Sequence, residues 1–335
     1  MYLLELAGED DAFAAREAAS VATGVDRIAP GLATARGVDE RVRGLAYTHR
    51  ASEYLGRTDP DVESASALLA AASTERTGTV AVRARDVRGL AGVDTQRVER
   101  ELGAALVDRG FAVDLDDPDH ELRAMFSEGV CALGWLAVES VRDFGDRRPT
   151  DRPFFQPGSM DPLLARALAN LAGAGPEATI LDPMCGTGGG LIEAGLLGAD
   201  VLGVDAQRKM VRGAAENLAH FLVPDRSPPG FPEPGDWHVM RGDATALALP
   251  DDAVDGVVFD APYGRQSKIA NRPLAALVAG ALAEARRVAP RAVVVADRSW
   301  ADEAREAGWR VTDRFERRVH RSLTRHVLVL TRERG

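Results

Sequence analysis

The chain has 335 residues, and its 41 basic against 51 acidic side chains give a net charge of −10. That length allows roughly two domains of about 100–200 residues, while the negative balance excludes a protein that coats nucleic acid through uniform basicity. No leader-like start, no uninterrupted run of about 18 apolar residues, only two cysteines (Cys131 and Cys185) and no zinc-spaced Cys/His cluster are found, so a soluble, cytoplasmic protein with no membrane contact, disulfide framework or metal is expected.

In chain order, the first pieces alternate. "MYLLELA" reads as a strand, "EDDAFAAREAASVATG" as a helix stopped at Gly24, "VRGLAYT" as a strand and "DPDVESASALLAAAS" as a helix. Residues 1–72 are therefore expected to form a small α+β unit. "TGTVAVRARDV" then reads as a strand. In "DTQRVERELGAALVDRG", Asp94 is a candidate N-cap, Val98, Leu102 and Leu106 mark one helical face, and Gly110 is a candidate C-cap. "FAVDLDDPDHELRAMFSEGVCALGWLAVES" gives short strands that close a second unit at 141.

Residues 142–153, "RDFGDRRPTDRP", are polar and hold two prolines, which marks a linker. From 154 to 335 the rhythm changes. "ATILDPMCGTGGG" is an apolar run into a glycine loop, and "LIEAGLLGA", "DVLGVDA", "QRKMVRGAAENLAHFL", "DWHVMRGDA" and "DGVVFDAPY" alternate helix and strand. Such alternation predicts an α/β, Rossmann-like, doubly wound parallel sheet. "VPDRSPPGFPEPGDW", with five prolines and two glycines, is long for a connection and is expected to be a solvated loop.

Doubly wound sheets bind ligands beyond the carboxyl ends of their strands. Asp182, Gly186, Thr187 and Gly188 sit where the first such strand should end, and the glycines let backbone turn tightly and approach a nucleoside closely. A dinucleotide fingerprint would need a third glycine where Leu191 stands, and no Gly-Lys-Ser/Thr follows for phosphoryl transfer. Asp205, one strand on, is placed to accept from ribose hydroxyls. Asp243, with Ala244, ends the next strand, where adenine's amino group would be met. A lone Asp is more often a cap or turn former. Three in order after successive strands favour an adenosyl cofactor.

The order Asp182, Gly186, Gly188, Asp205, Asp243 and then Asp260-Ala261-Pro262-Tyr263 resembles the S-adenosylmethionine-dependent amino-methyltransferases, whose signature is Asp/Asn-Pro-Pro-Tyr/Phe; here the second position is Ala261. An exocyclic amine is a poor nucleophile because its lone pair is delocalised into the ring. A carboxylate (Asp260) and a backbone carbonyl (Ala261) that accept its two N–H groups would localise that pair. Pro262 stiffens the turn, and Tyr263 is expected to stack on a base removed from its own stack.

Residues 73–141 look like a THUMP domain, an RNA-binding module, preceded by the ferredoxin-like unit that accompanies it. With "RPFFQPGSMDPLLARALANLAG" and "DAPYGRQS", the chain is similar over nearly its whole length to the archaeal tRNA guanine-10 2-amino-methyltransferases. The resemblance implies transfer of one or two methyls to the 2-amino group of a tRNA guanosine, with tRNA as partner and, as in eukaryotic relatives, a small zinc-binding activator subunit. Rival readings are the same chemistry on another tRNA guanosine or on ribosomal RNA, a nicotinamide oxidoreductase, and a non-catalytic RNA-binding protein.

An acidic chain must hold tRNA through local patches. Of its 41 basic residues only Lys209 and Lys268 are lysine, and arginine's planar fork suits phosphate. The candidates are Arg83, Arg85 and Arg88, then Arg142, Arg147, Arg148 and Arg152 in the linker, Arg265, Lys268 and Arg272 after the Asp-Ala-Pro-Tyr turn, and Arg317, Arg318, Arg321 and Arg325 in "RFERRVHRSLTRH".

Overall fold

The computed structural model describes residues 1–263, 273–320 and 323–332, so Arg265, Lys268, Arg272 and Arg321 lie outside the described residues. The chain divides into two units, Met1–Val141 and Arg142–Gly335. Among the described residues no helix is long and apolar enough to cross a membrane.

The first unit contains strands β1 (Tyr2–Leu6), β2 (Asp26–Ala29), β3 (Leu32–Ala35), β4 (Thr48–Thr58), β5 (Thr79–Asp86), β6 (Ala112–Val113), β7 (His120–Ser127) and β8 (Val130–Glu139), with helices α1 (Asp11–Ala18), α2 (Val62–Ala71) and α3 (Thr95–Val107). They form one eight-stranded sheet in the order β2-β3-β1-β4-β8-β7-β5-β6. Strands from residues 1–72 and 73–141 thus share a single sheet, joined where β4 pairs antiparallel with β8. Helix α3 starts where the Asp94 carboxylate accepts from the Arg97 N–H. Its Val98, Leu102 and Leu106 are fully buried with Val80, Val82 and Leu122 of the sheet, as the i, i+4, i+8 spacing requires.

"VRGLAYT" departs from its reading as a strand. Glu40–Gly44 is a single tight helical turn, and the strand begins only at Thr48. The cause is Glu17 on α1, whose two carboxylate oxygens each accept from a backbone N–H, Ala46 and Tyr47, at 2.7 Å. A side chain has taken the donors that a neighbouring strand would otherwise use.

The second unit contains α4 (Pro162–Ala172), β9 (Thr179–Asp182), α5 (Gly189–Leu196), β10 (Asp200–Asp205), α6 (Arg208–Phe221), β11 (Trp237–Arg241), β12 (Gly256–Asp260), α7 (Leu274–Val288), β13 (Arg291–Ala296), α8 (Ala301–Glu306), β14 (Trp309–His320) and β15 (Leu323–Arg332). Its seven-stranded sheet runs β11-β10-β9-β12-β13-β15-β14. The strands from β11 to β13 are parallel, and β15 enters antiparallel between β13 and β14. The chain leaves β9 in one direction through β10 and β11, then returns on its other side at β12. The expected Rossmann-like sheet is present, and its switch point lies between β9 and β12.

Two stretches differ from their expected character. The described residues of "RFERRVHRSLTRH" belong to the antiparallel strands β14 and β15 rather than to a tail, and Arg325 is the cross-strand partner of Arg317. The proline-rich stretch after α6 is anchored rather than freely solvated, since the Phe231 ring lies 4.9 Å from the Arg166 guanidinium, and Arg166 is fully buried on α4.

Candidate active site

The site grows from the carboxyl ends of β9, β10 and β12. Buried Ile180, Leu181, Val204, Val257 and Phe259 fix these strands in the core, so the polar residue that ends each one is delivered to the same rim: Asp182, Asp205 and Asp260. Between β9 and α5 the loop turns through Gly186 at φ 52° and Gly188 at φ 78°, the left-handed region that side chains with a Cβ disfavour. A Cβ on Gly188 would stand 3.3 Å from that of Ala214 on α6. Gly188 therefore serves the turn and the packing of α6, not the cavity wall.

Two cavities open at this rim. One, of about 790 Å³, is lined by Gly186, Asp205, Asp243, Ala244, Asp260 and Pro262, with Met184, Met210 and Leu277 among its apolar walls. The other, of about 200 Å³, is lined by Asp182, Gly186, Thr187 and Asp260, and by Gln156 and Ser159 of the loop before α4. Asp260 and Gly186 border both. The structure thus brings together seven of the residues expected from sequence, Asp182, Gly186, Thr187, Asp205, Asp243, Ala244 and Asp260, with Pro262 beside them.

Each carboxylate is pre-oriented by local bonds. Asp182 accepts from Met184 N–H at 3.0 Å. Asp205 accepts from Gly186 N–H at 3.1 Å and from Gln207 N–H at 2.8 Å, which ties the glycine loop to the end of β10. Asp243 accepts from the backbone and hydroxyl of Thr245 at 2.9 and 2.8 Å. Burial pushes the Asp182 carboxyl up to about 8, with Asp205 and Asp260 adding to it against the Met184 bond. Burial also raises Asp205. Asp182, buried beside Asp205 and Asp260, resists ionisation until a cation arrives, so this end of the site is suited to a positively charged ligand.

Asp260 sits where the cavities meet. Its Oδ1 accepts from the Tyr263 hydroxyl at 2.9 Å, and its Oδ2 lies 3.8 Å from Arg325 Nη2. Burial pushes its carboxyl up to about 6; Arg325 and the Tyr263 hydroxyl oppose the shift and Asp297 adds to it. Ala261 N–H donates to Val295 O at 2.7 Å, which locks the turn onto β13. Tyr263, expected only as a stacking surface, is therefore also held by its hydroxyl.

The arginines divide. Arg147 and Arg152, read as phosphate contacts, are buried: Arg147 donates to Glu193 at 2.8 Å and to Asp143 at 2.6 and 2.8 Å, and Arg152 donates to the Arg147 carbonyl at 3.1 Å. Arg325 is buried at Asp260 rather than facing outward. In the first unit Arg88 is engaged by Asp11 and the Gly8 carbonyl, and Arg83 by the Leu115 carbonyl and Glu121. Arg85 and Arg148 are exposed. Sequence reasoning missed Gln156 and Ser159 as site residues, and it read Arg325 as a phosphate contact instead of a partner of Asp260 and Tyr263. The first two stand in the quoted "FFQPGSM", and their signal was proximity to a proline-glycine turn ahead of a capped helix.

Comparison with known proteins follows the same lines. Residues 149–327 match the UPF0020 family, the RMKL-like methyltransferase domain. The tRNA (guanine(10)-N2)-dimethyltransferase of Methanothermobacter thermautotrophicus is 37% identical over 86% of this chain and 83% of its own length. Its namesake from Pyrococcus abyssi is 32% identical over 76% and 74%. Among solved structures, TrmN from Thermus thermophilus superposes with a TM-score of 0.50 at 23% identity over 99% of each chain, a likeness of fold.

Proposed function

Because the chain belongs to the tRNA (guanine(10)-N2)-dimethyltransferase family, we propose that it methylates the exocyclic 2-amino group of a guanosine in tRNA, guanosine 10 in particular, once or twice. The protein is a methyltransferase, with S-adenosylmethionine as the methyl donor. The observation that carries the residue assignments is Asp260 at the junction of two cavities, one bordered by Asp205 and Asp243 and the other by Asp182 and Thr187.

The cofactor fits what is there: a cradle of backbone at Gly186, a carboxylate at the end of β10 for vicinal hydroxyls, and a carboxylate-rich rim for a cation. When bound, it supplies an electrophilic methyl on a positively charged sulfur. Asp205 would accept from the ribose hydroxyls and Asp243 with Ala244 would border the adenine. Asp182 and Thr187 would face the amino-acid end, where an ammonium would offset the cost of ionising Asp182. Asp260 Oδ2, the oxygen the Tyr263 hydroxyl leaves open, would accept one N–H of guanine's amine. The Ala261 carbonyl would accept the other, which localises the nitrogen lone pair toward the methyl. The Tyr263 ring would stack on the base.

Replacing Asp205 by Ala is expected to weaken S-adenosylhomocysteine by about 10- to 100-fold, the worth of one hydrogen bond to a charged group. The rate at saturating cofactor should stay within a few-fold, and calorimetry with single-turnover kinetics checks the split. Unchanged affinity would remove Asp205 from the ribose.

The first unit is proposed to grip tRNA as a ferredoxin-like and THUMP-like module in the cytoplasm. Exposed Arg85 on β5 is the phosphate contact to test: Arg85→Ala should weaken tRNA binding several-fold and flatten the log–log salt slope by about 1. An unchanged slope counts against it. The target itself is tested by mapping nucleosides in tRNA methylated by the purified protein. Methylguanosine or dimethylguanosine at position 10 is expected, and modification confined to another nucleotide or to ribosomal RNA overturns the assignment.

A further inference from the structure

We infer that Arg325, brought in by β15, is a positioning residue for Asp260, acting through the Tyr263 hydroxyl on one carboxylate oxygen and directly across from the other. The inference rests on the reading of Asp260 as the acceptor of the substrate amine. Its basis is a closed triangle of contacts. Arg325 Nε donates to the Tyr263 hydroxyl at 3.1 Å, that hydroxyl donates to Asp260 Oδ1 at 2.9 Å, and Arg325 Nη2 stands 3.8 Å from Asp260 Oδ2.

The proton positions in this triangle are determined. A guanidinium can only donate, so the phenol must accept from Arg325 and send its single proton to Asp260. Oδ1 is thereby occupied, and Oδ2 is the oxygen left for a substrate N–H. The side chain of Arg325 is 7% exposed against 27% for Asp260, so the cation is sheltered and the carboxylate reaches the cleft. A sheltered cation at this range acts on its partner with little screening by water.

That charge has work to do, because burial favours the neutral form of Asp260. Asp297, which follows β13, adds to that push, whereas Asp182, at the end of β9, is itself held neutral by burial up to about 8. Arg317, on β14, is the cross-strand partner of Arg325. A protonated Asp260 would present a donor or a blocked oxygen to an amine that itself only needs acceptors. Arg325 thus keeps the acceptor an acceptor as pH falls, and the Tyr263 hydroxyl keeps its free oxygen aimed.

The test is the pH profile of single-turnover methyl transfer, measured between about pH 5.5 and 8.5 on full-length wild type, Arg325→Met, Arg325→Lys and Asp260→Ala, with S-adenosylhomocysteine titration to verify folding. Loss of an opposite charge at this distance raises a carboxyl by about one unit or more. Since the ionised form is the active one, Arg325→Met should move the acid limb upward: for one unit, a deficit of about threefold near pH 6.5 that grows toward about tenfold at pH 5.5 and vanishes by pH 8.5. Arg325→Lys, which keeps the charge but not the Nε bond, should retain the wild-type limb at a lower plateau. An unmoved limb in Arg325→Met, or a loss equal at every pH, overturns the inference. Should Arg325→Met have no measurable rate, Arg325→Gln, which keeps a donor and loses the charge, is measured in its place: an acid limb moved upward supports the inference, and an unmoved limb overturns it. An active Asp260→Ala protein instead refutes the role of Asp260 itself, whereas an inactive one beside a wild-type-like Arg325→Met profile refutes only Arg325.

Discussion

Asp260→Ala is expected to slow methyl transfer to tRNA on the order of 10³-fold, the scale of a positioned acid–base group, while S-adenosylhomocysteine binding stays within about threefold. The thioether of that ligand carries no charge at sulfur, so its affinity does not depend on a carboxylate beside the reacting methyl. Asp260→Asn should retain part of the activity, because its amide oxygen still accepts an N–H. It cannot titrate, which gives a second, sharper expectation. In the wild type the carboxyl is pushed up to about 6 by burial, so the rate should fall as pH drops through that value and the acceptor is protonated. In Asp260→Asn that acid limb should be absent. An Asp260→Ala protein methylating within tenfold of wild type, with cofactor bound, would remove the carboxylate from the mechanism.

The site was legible in the sequence where its chemistry is local. Asp182, Asp205 and Asp260 lie at the ends of short apolar strands and Gly186 in the loop after the first, and the strand-then-turn pattern alone puts them on one rim. Arg325 was not legible, because it meets Tyr263 across 62 residues. That contact exists only because β15 runs antiparallel between β13 and β14, a pairing that no short-range pattern encodes. Charge is similarly mute about burial: "DRRPTDRP" reads alike whether its arginines face water or a hidden glutamate. The delayed start of β4 had a comparable cause, a carboxylate on α1 holding two backbone donors that belong by pattern to a strand. In each case a distant side chain overrode a local preference.

The same hidden glutamate carries the largest expected effect on stability. Glu193 lies on α5, which starts at the glycine loop, and its side chain is fully buried. Its Oε1 accepts from Arg147 Nε at 2.8 Å, and its Oε2 lies 2.6 Å from Arg166 Nη2. Arg147 is further held by Asp143, and the Arg166 guanidinium stands 5.5 Å from the Phe144 ring and 4.9 Å from that of Phe231. Arg147 and Arg166 are matched by Glu193 and Asp143, a third buried arginine, Arg152, is held on the Arg147 carbonyl, and together they join residues of the 142–153 stretch, α4, α5 and the proline-rich stretch. Glu193→Ala leaves two buried guanidiniums sharing one carboxylate, a defect that costs about 3–5 kcal/mol. For a unit of this size that corresponds to a melting midpoint lower by about 10 °C. Glu193→Gln should cost nearly as much, since it keeps the shape and loses the charge. Adding Arg166→Met to Glu193→Leu should recover part of the loss, because the penalty lies in the uncompensated cation and not in the missing bond. Saturating S-adenosylhomocysteine, proposed to bind at the loop ahead of α5, should raise the midpoint of Glu193→Ala by mass action. A Glu193→Ala midpoint within about 2 °C of wild type would mean that water reaches these arginines and the cluster is not the anchor of the loop.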